Sequence, residues 1–157
     1  MVYKKFLLSI LAVYLAFRVI SCSPGVVLRE FRSDGCSMFI DRSLIDDKDW
    51  CECCLSHDLA YWRGGSKEER EAADREFREC ILQMTGDGHL ADLMYEAVRV
   101  GGGPYFPTWY RWGYGWKTIR GYKALTPEEE KLVQDRLEEY FRDSATDRCS
   151  RQRKAIR

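Results

Sequence analysis

The pattern over Trp50–Trp62 predicts a helix, because Cys54, His57 or Asp58, and Tyr61 recur there at three- and four-residue steps. Gly64-Gly65 ends that helix, and Ser66-Lys-Glu-Glu69 is a capping box that opens a second helix, which stops at Gly86. Asp74 borders the apolar stripe of the second helix. Because a carboxylate in that position is not freely solvated, we expect it to have a partner.

Two further helices follow, separated by an irregular aromatic segment. Asp87 can cap the third helix, and Gly101-Gly102-Gly103-Pro104 terminates it. Residues 104–123 are rich in aromatic residues and glycine and lack periodicity, so we expect a loop with a short hairpin. Thr126-Pro127-Glu128-Glu129 combines a cap, a proline at the first helical position and a capping box, and it opens the fourth helix. With residues 24–49 irregular, the pattern predicts a mainly α domain.

The first 21 residues have the layout of an export signal. A start with two lysines precedes the apolar run Phe6–Phe17 and then small residues. Val19-Ile20-Ser21-Cys22 resembles the bacterial lipobox, in which the cysteine becomes the acylated first residue of a lipoprotein. An ordinary cleaved signal and a retained anchor are the alternatives. We therefore expect residues 1–21 to be a signal peptide and residues 22–157 to be one domain, secreted or lipid-anchored at the cell envelope.

The charge of the predicted mature part argues against nucleic acid as a partner. Removing residues 1–21 takes away Lys4, Lys5 and Arg18 and no acid, so 22 basic residues face 25 acidic ones. A domain that binds nucleic acid usually carries a basic excess.

Six cysteines remain when Cys22 is set aside with the leader, and they are Cys36, Cys51, Cys53, Cys54, Cys80 and Cys149. In an exported domain of this size, six cysteines indicate three disulfides. A metal knot is the competing interpretation, because Cys51-x-Cys53-Cys54-x-x-His57 packs four soft ligands closely. An oxidising compartment favours the disulfides.

The segment Cys53-Cys54-Leu-Ser-His57-Asp58-Leu-Ala-Tyr61 carries the chemistry. A histidine suits proton transfer near neutral pH, and an aspartate suits calcium. Tyr61 lies one helical turn after His57, and Asp74 on the next helix can hold the far nitrogen of the imidazole. These groups are the ingredients of metal-assisted ester hydrolysis. A buried structural histidine bonded to an acid is the alternative.

Cys-Cys-x-x-His-Asp-x-x-Tyr resembles the active-site helix of secreted phospholipase A2. The resemblance implies a second, antiparallel helix with an aspartate partner for the histidine and a cysteine six residues later, and Asp74 and Cys80 have that spacing. It also implies the disulfides Cys53–Cys80 and Cys36–Cys54, which leaves Cys51 for Cys149. The short span from His57 to Asp74 is similar to the compact bacterial and viral members.

The same resemblance implies hydrolysis of the sn-2 ester of glycerophospholipids by a water that His57 activates. Asp74, oriented by Tyr61, would fix the imidazole. Calcium would be the cofactor, held by Asp58 and by carbonyl groups of an irregular N-terminal loop. Alignment on Cys36 makes Gly35, Ser37 and Phe39 the candidate loop ligands.

Eight aromatic residues lie in residues 101–122, with basic residues between them. Such rings suit a membrane–water interface, and Trp109, Trp112 and Trp116 are the candidate docking residues for a phospholipid surface. The rings could equally form core, and a division between the two roles is expected. The sequence indicates no protein partner. A phospholipase-like lipid-binding module without turnover and a surface lipoprotein are the other function classes.

Overall fold

The computed structural model describes residues 27–33, 35–36, 39–45, 47–142 and 149. Within these residues lie four helices: α1, Cys51–Arg63; α2, Lys67–Thr85; α3, Gly88–Gly101; and α4, Pro127–Arg142. The β structure recorded there consists of two isolated bridges, Leu28 with Trp116 and Arg42 with Asp49. The prediction of a mainly α fold is therefore confirmed. The predicted signal peptide, Cys22 and Ser37 lie outside the described residues.

Local capping interactions set the starts of three helices. The side chain of Ser66 accepts a hydrogen bond from the amide of Glu69, whose own side chain accepts one from the amide of Ser66. Asp87 accepts a hydrogen bond from the amide of Leu90 at 3.0 Å, and Thr126 and Glu129 form a second reciprocal box. These bonds satisfy amides that have no partner inside a helix.

Helices α1 and α2 are antiparallel. Only three residues connect them, and the contacts between them run in opposite directions along the two helices. Cys53 near the start of α1 is bonded to Cys80 near the end of α2, whereas Arg63 at the end of α1 pairs with Glu69 in the first turn of α2. His57 and Asp74 lie between these two contacts.

Three disulfides join the six cysteines as Cys36–Cys54, Cys51–Cys149 and Cys53–Cys80, with Cα–Cα distances of 5.1, 5.6 and 5.7 Å. The pairing that the resemblance implied is confirmed. Because all six sulfur atoms are in disulfides, these cysteines offer no thiolate to zinc, and the metal-knot alternative is wrong. The three bridges fasten the N-terminal loop, α2 and the C-terminal part of the chain to α1.

Helix α1 is buried on two sides because it lies between two hydrophobic clusters. One cluster contains Leu28, Phe31, Cys51, Leu55, Trp62, Trp116, Val133 and Cys149. The other contains Cys36, Trp50, Cys53, Cys54, Phe77, Ile81, Ala91 and Met94. Helix α4 joins the first cluster through Val133, and helices α2 and α3 build the second. Phe141, near the end of α4, is 51% exposed.

Two tryptophans of the aromatic segment belong to the core, which corrects their assignment to a membrane interface. Trp112 and Trp116 are 2% and 1% exposed. Their indole N–H groups donate to the carbonyls of Gly65 at 2.9 Å and Arg63 at 2.6 Å. Arg63 ends α1, where a carbonyl lacks a partner within the helix, and Gly65 lies in the connection to α2; both carbonyls gain a donor from an inward-turned ring. Trp109, in contrast, is 66% exposed, and the expected division between core and surface is confirmed.

Among the helices in the described part of the chain, none has both the length and the apolar character to cross a membrane.

Candidate active site

His57, Tyr61 and Asp74 meet between α1 and α2. Nε2 of His57 lies 2.9 Å from Oδ1 of Asp74, and the hydroxyl of Tyr61 donates to the same oxygen at 2.7 Å. His57 and Tyr61 share one face of α1 because they are four residues apart. Asp74 is 0% exposed. Several donors, rather than one, serve as the partner expected for this buried carboxylate.

Two aromatic rings hold the imidazole of His57. The centroid of the Tyr61 ring lies 4.2 Å from that of the imidazole, and the centroid of the Phe77 ring lies 4.5 Å from it. The two rings are inclined to the imidazole plane by 36° and 30°. A carboxylate accepts hydrogen bonds, so Nε2 carries the proton and Nδ1 is left with a lone pair. Within the described residues, no hydrogen-bond partner is recorded for Nδ1. The bond to Asp74 therefore favours one tautomer, in which the lone pair of Nδ1 has no hydrogen-bond partner among the described residues.

The electrostatic environment favours a neutral histidine beside an ionised aspartate. Burial lowers the pKa of His57, and the charge of Arg70 lowers it further, while the hydrogen bond and charge of Asp74 oppose this shift. Burial alone would raise the pKa of Asp74, but hydrogen bonds from His57, Arg99 and Tyr61 bring that pKa below its usual value. Burial raises the pKa of Tyr61, so its hydroxyl remains a donor.

Two arginines that the sequence interpretation missed contact this centre. Arg99 on α3 donates to Oδ2 of Asp74 at 2.6 Å, and Nε of Arg70 on α2 lies 3.7 Å from the same oxygen. Arg70 also donates to the hydroxyl of Tyr61 at 3.0 Å. Arg70 precedes Asp74 by four residues on one helix, a spacing that could have indicated the pair. Arg99 had no local signal, because it lies 25 residues away in sequence.

A cavity opens beside the imidazole. Its lining comprises Gly35, Cys36, Phe39, Cys54, His57, Asp58, Tyr61, Phe77, Met94, Ala97, Val98 and Tyr110. The volume of about 50 Å³ exceeds the roughly 10–15 Å³ that one water requires. The walls are mostly apolar, and His57, Asp58, Tyr61 and Tyr110 supply the polar groups. This composition is typical of small-molecule sites.

The candidate calcium ligands lie partly within this cavity. Asp58 lines it together with Gly35 and Phe39, and Oδ2 of Asp58 accepts a hydrogen bond from the hydroxyl of Ser33 at 2.6 Å. Gly35 has a φ of 80°, and its amide donates to the same hydroxyl at 3.2 Å. Ser37 lies outside the described residues.

The donor chemistry of this loop fits calcium, which prefers carboxylate and carbonyl oxygens. The described residues contain no group of three or more His, Cys, Asp or Glu side chains placed to hold a metal. A calcium ion here would therefore depend on the carboxylate of Asp58 and on backbone carbonyl groups.

Three exposed apolar side chains belong to residues next in sequence to residues that line the cavity. Trp109 packs edge-to-face against Tyr110, with ring centroids 5.4 Å apart. Leu93 on α3 precedes the cavity residue Met94 and is 60% exposed, and Ile40 follows Phe39 and is 55% exposed.

No family model matches the chain, and the comparisons with curated proteins and with solved structures also found no match.

Proposed function

We propose that this chain is a calcium-dependent, phospholipase A2-like hydrolase that cleaves the sn-2 ester of glycerophospholipids. The observation that carries the proposal is the hydrogen-bonded set of His57, Tyr61 and Asp74 at the edge of a cavity. A purely structural histidine needs neither a fixed tautomer nor a free nitrogen beside an open space. Asp58 lines the same cavity and adds a carboxylate to it.

In the proposed reaction, Nδ1 of His57 removes a proton from a water as that water attacks the ester carbonyl. The lowered pKa of His57 favours this role, since the imidazole is then neutral and ready to accept a proton near pH 7. The cavity volume of about 50 Å³ leaves room for the water. General-base assistance of this kind typically contributes about 10²–10⁴ in rate.

Asp74 and Tyr61 prepare the base for this step. The carboxylate of Asp74 holds the proton on Nε2 and stabilises the imidazolium that forms on proton transfer. The Tyr61 hydroxyl binds the same carboxylate oxygen, which limits the rotation of Asp74. A side chain on Gly102 would meet the Tyr61 ring at 2.5 Å, so the close approach of α3 depends on this glycine.

Asp58 and the carbonyl groups of Gly35, Ser37 and Phe39 are the proposed calcium ligands. When bound, calcium would polarise the ester carbonyl and offset the charge on its oxygen. The disulfide Cys36–Cys54 ties this loop to α1 four residues before Asp58.

The proposed partner is a phospholipid surface, with Trp109, Leu93 and Ile40 as the contacting side chains. All three are exposed, Trp109 contacts the lining residue Tyr110, and Leu93 and Ile40 are sequence neighbours of the lining residues Met94 and Phe39. Amphipathic aromatic rings favour the interface of a bilayer. Co-sedimentation with phosphatidylcholine vesicles tests this contact: Trp109→Ala should bind less than the parent protein, and equal binding would remove Trp109 from the docking surface.

A positional assay tests the hydrolase proposal. The substrate is a phosphatidylcholine with different acyl chains at its two ester positions, and mass spectrometry identifies the acid released. We expect release of the sn-2 acid, its loss in His57→Gln, and unchanged release in His89→Gln. His89 is the other histidine of the chain; it is exposed on α3 and does not line the cavity. Release from the sn-1 position, or full activity of His57→Gln, would contradict the proposal.

A lipid-binding module without turnover is the second candidate. The hydrogen bond from Ser33 to Asp58 favours it, because that bond already occupies one oxygen of the proposed calcium ligand. The two candidates differ in one outcome: the module would bind vesicles and release no fatty acid.

Export and acylation at Cys22 remain proposals from the leader sequence. The intact mass of the protein purified from its producing cells tests both. A mass increase that maps to an N-terminal Cys22 supports a lipoprotein, and an unmodified Cys22 contradicts it.

A further inference from the structure

We propose that Arg99 is a positioning residue, which fixes the carboxylate of Asp74 so that one oxygen serves His57 and Tyr61. This inference rests on the proposed hydrolytic function. It assigns a task to a side chain of α3, outside the two helices that carry the histidine and the aspartate.

The two oxygens of Asp74 have separate partners. Oδ1 binds the imidazole of His57 and the hydroxyl of Tyr61, at 2.9 and 2.7 Å. Oδ2 accepts a hydrogen bond from Arg99 at 2.6 Å. The charged donor therefore contacts only the oxygen that the imidazole does not use.

Without the guanidinium of Arg99, Oδ2 would be buried with no donor at hydrogen-bond distance among the described residues. Nε of Arg70 is 3.7 Å away and already donates to Tyr61 at 3.0 Å. The torsion that turns a carboxylate is soft, so Asp74 would rotate toward Arg70. That rotation would move Oδ1 out of the position in which it accepts the hydrogen bond from Nε2 of His57.

The end of α3 does not depend on the Arg99 side chain. One nitrogen of Arg70 donates to the backbone carbonyls of Val98 and Arg99, at 2.9 and 2.8 Å. Both acids that face Arg99 also keep another cation nearby, since Arg70 lies 3.7 Å from Asp74 and Lys67 lies 3.7 Å from Glu71. Replacing the side chain of Arg99 should therefore leave the helix in place and disturb mainly the orientation of Asp74.

Arg99→Gln and Arg99→Lys test this inference, with Arg78→Gln as the matched control. Arg78 also links α2 to α3, through a 2.6 Å bond to Asp92, but it does not contact Asp74 or line the cavity. The full chain with its disulfides formed is assayed on diheptanoyl-phosphatidylcholine kept below its micelle concentration. Monomeric substrate separates the chemical step from binding to a surface.

We expect Arg99→Gln to lose about 10- to 100-fold in kcat, since a small misplacement of a catalytic group has effects of that size. Its KM should stay within about twofold of the parent value, because the interaction acts on the reaction step. Arg99→Lys should recover part of the loss, and Arg78→Gln should keep the parent kcat. A kcat of Arg99→Gln equal to that of Arg78→Gln would overturn the inference.

A second readout does not require turnover. The ¹⁵N shifts of the His57 ring at about pH 8, well above the ordinary imidazole pKa of about 6.5, report which nitrogen carries the proton. The parent protein and Arg78→Gln should show the proton on Nε2, and Arg99→Gln should show a mixture. An unchanged signal in Arg99→Gln would reject the positioning role. An inactive parent protein would refute the proposed hydrolysis instead, and the ring signals would still decide the role of Arg99.

Discussion

Asp74→Asn tests whether an ionised carboxylate holds the centre of this fold together. The substitution keeps the shape of the side chain and removes its charge. If the amide oxygen continues to face His57 and Tyr61, the amide nitrogen faces Arg99, and two donors then oppose each other. Arg70, which is 3% exposed, also loses its nearest acid.

The contacts of Asp74 set the size of the expected effect. The carboxylate is 0% exposed and accepts hydrogen bonds from three side chains, one of them a guanidinium. Removing one partner of a buried ion pair typically costs about 3–5 kcal/mol, because the remaining charge stays buried. This is a large share of the roughly 5–15 kcal/mol that stabilises a domain. The three disulfides restrict the unfolded chain, so we expect Asp74→Asn to remain folded but weakened.

The loss of stability in Asp74→Asn should become smaller as the pH falls. The pKa of Asp74 is lowered in the folded state, so the folded protein holds its proton less tightly than the unfolded chain does. The stabilisation is therefore complete above the unfolded pKa of about 3.9 and disappears as the pH falls through the lowered folded value. The parent protein and Asp74→Asn should differ most near neutral pH and converge in acid.

Urea unfolding followed by tryptophan fluorescence measures this difference between about pH 7 and pH 2.5. We expect a gap of about 3–5 kcal/mol at pH 7 that shrinks below about pH 4. A gap of the same size at every pH would refute the reasoning, since it would not come from the ionised carboxylate. A gap below about 1 kcal/mol at pH 7 would show that the two arginines do not depend on Asp74.

Three further predictions concern the aromatic segment, the calcium loop and its disulfide. Trp116→Phe should lower the free energy of unfolding by about 1–3 kcal/mol, because it removes a buried donor, whereas Trp109→Phe should change it by less than about 0.5 kcal/mol; equal losses in thermal melts would contradict the difference in burial. Asp58→Asn should abolish calcium binding in calorimetry, since it removes the charged ligand, and an unchanged isotherm would reject the site. Joint replacement of Cys36 and Cys54 by serine should weaken calcium binding while the far-ultraviolet circular dichroism stays the same; unaltered affinity would mean that the tether is dispensable.

The helices could be predicted because their signals are local. Ser66, Asp87 and Thr126 each cap amides only a few residues away, and these bonds are present in the structure. The side-chain burial was harder to predict. Val133, Leu137 and Tyr140 face the first cluster at steps of four and three residues, whereas Phe141 is rotated by about 100° from Tyr140 and is 51% exposed.

The contact between His57 and Asp74 could also be anticipated, because two helices joined by a short turn bring those positions together. The role of Trp112 and Trp116 could not, because it depends on which carbonyl groups at the end of α1 and in the turn after it accept their indole N–H groups. The contact of Arg99 with Asp74 could not be predicted either, since only the packing of α3 on α2 brings its guanidinium to that carboxylate. The sequence pattern indicates which residues have side chains suited to the proposed chemistry, and tertiary packing decides which of them come into contact.

Fatty-acid release from mixed phosphatidylcholine micelles, measured with calcium and with excess chelator, tests the central claim most directly. The account predicts release that requires calcium and that disappears in His57→Gln. Release that persists in chelator or in His57→Gln would contradict it, as would the absence of release from folded, disulfide-bonded protein supplied with calcium.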